Sequence, residues 1–269
     1  MNASPSNPRH TVTASAAHRQ LPSTVRMEWG LDGARTVASG ADLAVVVDVL
    51  SFTTCVSVAL DRGAEVFPFP WKDTGAEDFA AHHGAQLAGP RDGGGLSLSP
   101  ASIRAAASLD RVVLPSPNGS ALCHDLAGDV PLVAAVSLRN AAATAEWVAA
   151  NLPADAVIAV VAAGERWPGG GLRPAVEDQI GAGAFIAGLV AAGKGGYEPE
   201  DGRHGYSPEA VAAMAAFEAA EPRLREMLHG CSSGRELAGG GYGADVDIAA
   251  ELDCSDAVAL LVNGVFSPR

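Results

Sequence analysis

Asp48 stands at the end of an apolar run and in front of several hydroxyl side chains. It directly follows Leu43–Val47, whose β-branched residues predict a buried parallel strand, and Ser51, Thr53 and Thr54 come before the sequence turns helical. Open α/β sheets bind ligands at the carboxyl ends of their strands, and helix N-termini attract phosphate. A carboxylate suited to a metal beside hydroxyls suited to an anion indicates phosphate-ester chemistry. The simpler alternative is that Asp48 only caps the next helix.

The next candidate group is an Asn-Gly turn after the predicted strand Arg111–Leu114. Asn118 and Gly119 favour a tight turn with positive φ, and Ser120 follows them directly. The serine hydroxyl and the backbone N–H groups of such a turn could hold an oxyanion. An ordinary turn without a ligand is the alternative.

Two further predicted strands end in polar residues. Leu132–Val136 is followed by Arg139 and Asn140, and Val157–Ala162 is followed by Glu165. If the strands are parallel, all of these groups face one cleft, because parallel strands end at the same edge of a sheet.

Carboxylates recur among these groups. Glu177 and Asp178 open the next helix, where the helix dipole explains one acidic residue but not Asp48 and Glu165 as well. Acidic oxygen ligands select hard cations, and Mg²⁺ is the one usually shared with a phosphate. We therefore predict a Mg²⁺ site formed by Asp48 with one or more of Glu165, Glu177 and Asp178, and catalytic roles for Asp48, Glu177 and Asp178.

Alternating strand and helix patterns would position these groups. The predicted strands are Val25–Leu31, Leu43–Val47, Glu65–Phe69, Arg111–Leu114, Leu132–Val136 and Val157–Ala162. The predicted helices are Thr53–Asp61, Gly75–His82, Ala101–Ala107, Asn140–Asn151, Ala175–Ala192 and Pro208–Glu221, with a shorter helix beyond. This order predicts an α/β fold, a three-layer α/β/α arrangement with a largely parallel central sheet.

A single phosphatase-like domain is expected over residues 25–269, with a helical elaboration in its C-terminal part. Residues 1–24 are rich in Ser, Pro, Ala and Asn and predict a flexible N-terminal tail. Gly181, Ala184 and Gly188 would share one helix face, which could pack closely on the sheet or on a second subunit. A homodimer is therefore one expectation.

Serines mark three predicted helix starts. Ser99 and Ser207 each precede a proline, the pairing of a capping hydroxyl with proline at the first helical position. Ser233 and Glu236 have the spacing of a capping box.

Composition limits the partners of the chain. A net charge of −13 argues against a nucleic-acid or anionic-membrane surface, so an anionic substrate would need arginines or a metal. The four cysteines form no CxxC pair and no zinc spacing, which predicts reduced thiols in a cytoplasmic protein. The N-terminal residues lack a signal-peptide apolar region, and no apolar stretch is long enough to span a membrane. The expected partner is a small anionic phosphate ester.

One short motif suggests different chemistry. Gly230–Gly234 matches the G-x-S-x-G of serine hydrolases, with Ser232 as the nucleophile. Such an elbow needs a strand before it, whereas Pro222–His229 predicts a helix. A serine hydrolase is therefore the weaker alternative.

The order of motifs along the chain resembles the 2-phosphosulfolactate phosphatase family. The matching segments are DVLSFTTC, LAGPR, LSP, PNGS, RNA, AAGE, VEDQIGAGAF and SSGRELAGGGYGADVDIAAELD. The resemblance implies an α/β/α hydrolase that uses Mg²⁺ to release phosphate from an acidic three-carbon ester. It implies matching roles for Asp48, Thr53, Thr54, Arg91, Asn118, Gly119, Asn140, Glu177 and Asp178. It also places Arg235, Gly243 and Asp247 in the family pattern, as residues that would close the cleft.

The expected reaction is hydrolysis of 2-phosphosulfolactate, or a related phospho-acid, to sulfolactate and phosphate. The residues expected to contact phosphate are Thr53, Thr54, Asn118 and Ser120, and those expected to contact substrate anions are Arg91, Arg139 and Arg173. The family usually has Arg at the position of Ser51, which is one more candidate for substrate contact. A family member that has lost catalysis and binds an anionic metabolite is the alternative.

Overall fold

Apolar runs form the strands of the sheet in a computed structural model of the chain. The structure describes residues 15–70, 75–194 and 205–268. The strands are β1 (Val25–Trp29), β2 (Leu43–Val47), β3 (Glu65–Pro70), β4 (Gln86–Leu87), β5 (Arg111–Ser116), β6 (Leu132–Val136), β7 (Ile158–Ala162), β8 (Glu165–Arg166), β9 (Leu172–Arg173), β10 (Ala259–Val262) and β11 (Val265–Phe266). β2 and β7 are buried at every residue, as in sheets covered by helices on both faces.

Nine of these strands form one sheet in the order β1-β7-β2-β6-β10-β11-β3-β5-β4. The pairs within β1-β7-β2-β6 and within β3-β5-β4 are parallel. The antiparallel hairpin β10–β11 joins the two groups, and β8 pairs with β9 in a separate two-stranded sheet.

Helices cover both faces of this sheet. They are α1 (Gly30–Val37), α2 (Phe52–Asp61), α3 (Ala76–His83), α4 (Pro100–Ala105), α5 (Gly119–Leu126), α6 (Ala141–Asn151), α7 (Val176–Ala191), α8 (Pro208–Ala220), α9 (Leu224–Gly230), α10 (Ser232–Gly239) and α11 (Gly243–Ala249). One core contains residues of α1, α2, α4 and α5, and the other contains residues of α6, α7, α8 and α9. Alternate residues of β2 point into these two cores. The predicted three-layer fold with a largely parallel sheet is confirmed.

Two of the three helix starts that serines were predicted to cap are capped by those serines. Ser99 and Ser207 cap α4 and α8 through their side chains, which confirms both predicted helix starts. The predicted capping box at Ser233 is wrong, because Cys231 is the N-cap of α10. Its sulfur accepts a hydrogen bond from the Gly234 N–H.

The small residues of α7 serve packing inside the chain. A Cβ at Gly181 would lie 2.6 Å from Val49 Cγ2, and one at Gly188 would lie 2.9 Å from the Ala145 Cβ. The helix therefore lies against the β2 segment and α6 at distances that only glycine permits. The homodimer stays a prediction.

Residues 15–24, the described part of the predicted tail, pack against the domain. Gln20 is buried, its Nε2 donates to Met27 O at 2.7 Å, and its Oε1 accepts from the Met27 N–H at 3.0 Å. Thr24 N–H donates to Gly205 O at 3.1 Å. Residues 1–14 of the predicted tail lie outside the described residues. Among the residues that are described, no helix combines the length and apolar composition that a bilayer span requires.

Candidate active site

The Asp48 carboxylate lies at the end of β2 and accepts hydrogen bonds from two other segments. Gly119 N–H donates to Oδ2 at 2.8 Å, Ser116 Oγ lies 3.4 Å from the same oxygen, and Phe52 N–H donates to Oδ1 at 3.3 Å. A Cβ at position 119 would lie 2.3 Å from Phe52 Cδ1 and 2.7 Å from Asp48 Oδ2, so only glycine fits. The ends of β2 and β5 therefore meet, as expected from the sequence.

Three hydroxyl groups expected to contact phosphate have backbone partners instead. Thr53 Oγ1 and Thr54 Oγ1 donate to the carbonyl groups of Asp48 and Val49 at 2.8 and 2.7 Å, and Ser120 Oγ donates to a carbonyl of β5 at 2.8 Å. All three side chains are fully buried. A hydroxyl has one proton, so in this arrangement none of them can donate to a phosphate. They stabilise the loops that carry the site.

Asp178 connects two strand ends. Val49 N–H donates to its Oδ1 at 2.7 Å, and Gly164 N–H donates to its Oδ2 at 2.8 Å. These bonds tie the loop after β2 to the loop after β7. Asp178 therefore fixes the segment that carries Asp48.

Glu177 is the carboxylate of the group whose bonding is incomplete. Its side chain is buried, and Oε2 has no hydrogen-bond partner among the described residues. A buried carboxylate oxygen without a donor loses its hydration and receives nothing in return, which is strongly unfavourable. Such an oxygen is suited to a cation.

Burial and the charges of neighbouring acids raise the pKa values of Asp48, Asp178 and Glu165. Burial raises the pKa of Asp48, and the charge of Glu177 adds to this against three opposing hydrogen bonds. Burial, with the charges of Asp48 and Glu177, raises the pKa of Asp178 well above its usual range. Burial and the Asp48 charge raise the pKa of Glu165 to about 7. The donor set consists of oxygens and suits a hard cation. Within the described ranges, however, no three His, Cys, Asp or Glu side chains are grouped to hold one metal ion.

Glu165 lies between two cavities, and Asn118 Nδ2 donates to its Oε2 at 3.1 Å. The larger cavity, about 360 Å³, is lined mainly by Trp29, Gly30, Leu31, Asp32, Pro117, Asn118, Ala121, Leu122, Glu165, Arg166 and Leu172. The smaller one, about 240 Å³, is lined by Leu50, Arg91, Glu165, Ser233, Glu236, Leu237, Gly240 and Tyr242. We call it the Arg91 cavity. Both cavities combine an arginine with Glu165. A second arginine, Arg173, donates to Ser233 of the Arg91 cavity, which makes the Arg91 cavity the better site for an acidic substrate.

Arg91 is held by residues from two other segments. Its Nη2 donates to Ser51 Oγ at 2.8 Å, and its Nε lies 3.5 Å from Asp245 Oδ2. The guanidinium carbon lies 5.6 Å from the centre of the Tyr242 ring. Ser51 therefore supports an arginine that comes from elsewhere in the chain.

Arg173 also lies near this region. Its Nη2 donates to Ser233 Oγ at 3.3 Å, its guanidinium carbon lies 5.9 Å from the centre of the Trp167 ring, and its charge opposes the rise in the pKa of Glu165. Ser233 also lines the Arg91 cavity. Two of the predicted substrate arginines, Arg91 and Arg173, are thus near Glu165.

Arg139 and Asn140 have structural partners instead of a place in the Arg91 cavity. The Arg139 guanidinium pairs with Asp61 at 2.6 Å and with Glu251. Asn140 Oδ1 accepts from the Ser137 N–H at 2.9 Å and closes the turn after β6. Both residues follow the end of β6, as predicted, but they bond to neighbouring segments of the protein and not to the Arg91 cavity.

The three C-terminal residues that were expected to close the cleft are exposed, begin a helix or pair with other side chains. Arg235 is exposed on α10, and Gly243 is the first residue of α11. Asp247 pairs with Arg225 at 2.7 Å and with His229 at 2.6 Å, at partly exposed positions.

Asp245 is the site residue that sequence reasoning missed. It is buried and faces Arg91, whereas Asp247 on the same helix points outward. A signal was present: Asp245 precedes Ile248 and Ala249 by three and four residues, and both are buried. Helical spacing therefore placed Asp245 on the buried face of α11.

The fold and site together define an α/β protein with buried carboxylates at a sheet edge, beside a cavity that contains an arginine. A family model described as 2-phosphosulpholactate phosphatase matches residues 34–264. A protein of Deinococcus radiodurans named "Probable 2-phosphosulfolactate phosphatase" is 30% identical over 232 residues, which cover 83% of this chain and 89% of that protein. A protein of Thermosynechococcus vestitus with the same name is 28% identical over 225 residues, 79% of this chain and 86% of that protein. The chain belongs to the 2-phosphosulfolactate phosphatase family, whose named members are phosphoric monoester hydrolases.

Proposed function

We propose that this chain hydrolyses 2-phosphosulfolactate, or a closely related small phospho-acid, in a reaction that requires Mg²⁺. The observation that carries the proposal is Glu177 Oε2, a buried oxygen without a hydrogen-bond partner among the described residues, in the group of Asp48 and Asp178. Four acidic side chains influence one another there, and a cation would relieve their repulsion. The names of the two relatives support the substrate.

Asp48 and Glu177 are the side chains that would hold the ion. Mg²⁺ is commonly bound by one or two carboxylates together with substrate phosphate and water, so a third protein ligand is not needed. Asp178 would keep both in place, because backbone donors hold its own two oxygens. A bound Mg²⁺ would neutralise charge on the phosphate and lower the pKa of the attacking water.

Two helix N-termini point at the Asp48 carboxylate of the proposed metal site. α2 and α5 both begin at the Asp48 carboxylate, since the N–H groups of their first residues, Phe52 and Gly119, point at it. The positive ends of both helix dipoles therefore face this point. Arg91 would bind a second acidic group of the substrate from the adjoining cavity.

Glu165 is the group best placed to move a proton. Hydrolysis joins a water oxygen to phosphorus and breaks the bond from phosphorus to the alcohol oxygen, which must then receive a proton. Glu165 lines the Arg91 cavity, and burial raises its pKa to about 7, so in the metal-free protein it is protonated in a substantial fraction of molecules at neutral pH. The hydrogen bond from Asn118 to Oε2 orients the carboxyl group and leaves Oε1 for the substrate.

The test is phosphate release from 2-phosphosulfolactate, phospholactate, phosphoglycerate and phosphoglycolate, with Mg²⁺ and after chelation. We expect release with Mg²⁺ only, and the highest kcat/KM for 2-phosphosulfolactate. Release from none of the four would favour a family member that binds an anionic metabolite without catalysis. Full release after chelation would refute the metal requirement.

The serine-hydrolase alternative has a separate test. Ser232 begins α10 directly after α9, so the strand that a nucleophile elbow requires does not precede it. We expect no labelling of Ser232 by an organophosphonate probe.

A further inference from the structure

The Arg91 guanidinium is held by three contacts beside the Arg91 cavity. Its Nη2 donates to Ser51, its Nε faces Asp245, and one face of the guanidinium lies over Tyr242. For Nη1, the described part of the chain provides no hydrogen-bond partner, and Arg91 lines the cavity. The orientation of Arg91 therefore determines where a substrate anion can receive a charge-assisted hydrogen bond.

Asp245 is a fixed point for that orientation. It is 1% exposed, and its Oδ1 accepts from Ser99 Oγ at 2.6 Å and from the Ala101 N–H at 3.0 Å, in the first turn of α4. Its other oxygen, Oδ2, faces Arg91 Nε at 3.5 Å and has no hydrogen-bond partner among the described residues. A buried charge without a partner is strongly destabilising, so the carboxylate requires Arg91 nearby.

The surrounding charge makes one well-placed cation important. The charges of Asp48 and Glu177 help to raise the pKa values of Glu165 and Asp178, and the same charges repel an acidic substrate. The acidic group of the substrate other than the phosphate needs a cation, and Arg91 offers one in the Arg91 cavity. A guanidinium turned away from that cavity could not bind it.

We propose that Asp245 is a positioning residue that orients Arg91 to bind the acidic group of the substrate other than the phosphate. The inference rests on the proposed function and adds that Asp245 determines how well this acidic group is bound. Asp245 acts through Arg91 and does not touch the substrate.

The experiment compares Asp245→Asn and Arg91→Gln, singly and together. Asparagine can still accept the two hydrogen bonds of α4 but removes the charge that faces Arg91. We expect Asp245→Asn to raise KM for 2-phosphosulfolactate about 10-fold, the effect of weakening one charge-assisted hydrogen bond, with kcat within ~3-fold of the parent. The inhibition constant of inorganic phosphate, which lacks the acidic group, should change less than ~2-fold.

The double variant tests whether Asp245 acts through Arg91. We expect its KM to equal that of Arg91→Gln alone, because the effect of Asp245 requires the arginine. Asp253→Asn is the matched control: Asp253 accepts from the Ala142 N–H at 2.9 Å in the first turn of α6, and KM should stay at the parental value. If Asp245→Asn does not fold, Ser99→Ala takes its place, because it removes the hydroxyl that donates to Asp245 Oδ1; KM should then rise about 2- to 5-fold, and only when Arg91 is present.

Three results would overturn the inference while leaving the proposed function intact: an unchanged KM, an equal change in KM and in phosphate inhibition, or a further rise in KM when Asp245→Asn is added to Arg91→Gln. A parent protein that releases no phosphate from any phospho-acid would refute the proposed function itself, and the inference with it.

Discussion

Replacing Gly119 with alanine should damage the site through a single added methyl group. Gly119 is the first residue of α5 and donates its N–H to Asp48 Oδ2 at 2.8 Å. The new Cβ would lie 2.3 Å from Phe52 Cδ1 and 2.7 Å from Asp48 Oδ2. Phe52 cannot easily move, because its ring is fully buried and packs edge-to-face on Phe266 at 6.5 Å between ring centres.

The expected loss follows from two effects. Overpacking a buried site costs about 1–3 kcal/mol, and a weakened hydrogen bond to a charged group costs about 1.5–3 kcal/mol. The helix preference for alanine over glycine returns at most ~1 kcal/mol. We expect the free energy of unfolding to fall by about 2–4 kcal/mol. Because a misplacement of ~1 Å at a catalytic group costs about 100-fold, kcat should fall by about that factor.

The assay is urea unfolding together with kcat for 2-phosphosulfolactate. Gly128→Ala is the control, because Gly128 lies in the exposed segment just after α5 and a Cβ there meets nothing within 4 Å. Its free energy of unfolding should stay within ~0.5 kcal/mol of the parent. If Gly119→Ala matched Gly128→Ala in both measurements, the close approach of α5 to Asp48 would be refuted.

Two further predictions concern the carboxylates. Mg²⁺ should raise the melting temperature of the parent because it binds the folded state, and the Glu177→Gln variant should show little of that rise. An equal rise in melting temperature in both proteins would contradict the assignment of Glu177 as a metal ligand. In chelated buffer, the free energy of unfolding should fall as pH rises from about 4.5 to about 7, because folded Glu165 keeps its proton over a range in which the unfolded chain loses it. Glu165→Gln should remove on the order of 1–3 kcal/mol of this fall, and an unchanged pH profile would contradict the raised pKa.

The sequence predicted strand bounds correctly where an apolar run is flanked by polar residues. Leu43–Val47 and Leu132–Val136 have the predicted bounds, because each is a contiguous buried run in the parallel sheet. The predicted strand Val25–Leu31 was too long: the strand ends at Trp29, and Gly30, with φ +60°, begins a helix that the apolar pattern did not indicate.

The C-terminal hairpin could not be found in the same way. β10 and β11 have four and two residues, too few for a periodic pattern, and their pairing with β6 and β3 joins segments far apart in the chain. The Asn-Gly pair at 118 and 119 was predicted to form a tight turn with positive φ, which is wrong: Asn118 has φ −109° and is the N-cap of α5, and Gly119 is the first residue of that helix. The bond from Gly119 to Asp48 joins segments far apart in the chain, so a local pattern does not contain it.

For the candidate site, the sequence correctly predicted which segments lie together. It was less successful in predicting the hydrogen-bond partners of the individual side chains. Asp48 and Gly119 meet because the loops after β2 and β5 lie at one edge of the sheet, and Asp178, in the first turn of α7, accepts a hydrogen bond from Val49 at the same edge. Thr53 and Arg139 have the right location but different partners, since the choice between a carbonyl, a carboxylate and a ligand depends on the three-dimensional surroundings. A sequence pattern alone does not contain that information.

The most direct test of the proposed phosphatase is the turnover of 2-phosphosulfolactate by Asp48→Asn in saturating Mg²⁺. The asparagine oxygen can still accept from the Gly119 N–H, and only the longer bond from the Phe52 N–H, 3.3 Å, is lost, so the fold should be retained and the melting temperature should stay within a few degrees of the parent. Loss of a metal-binding carboxylate should lower kcat by about 1000-fold or more, on the order of 4 kcal/mol in the barrier. We predict a folded variant with almost no phosphate release. A folded Asp48→Asn variant with near-parental turnover would contradict the proposed role of this carboxylate and the Mg²⁺ mechanism built on it.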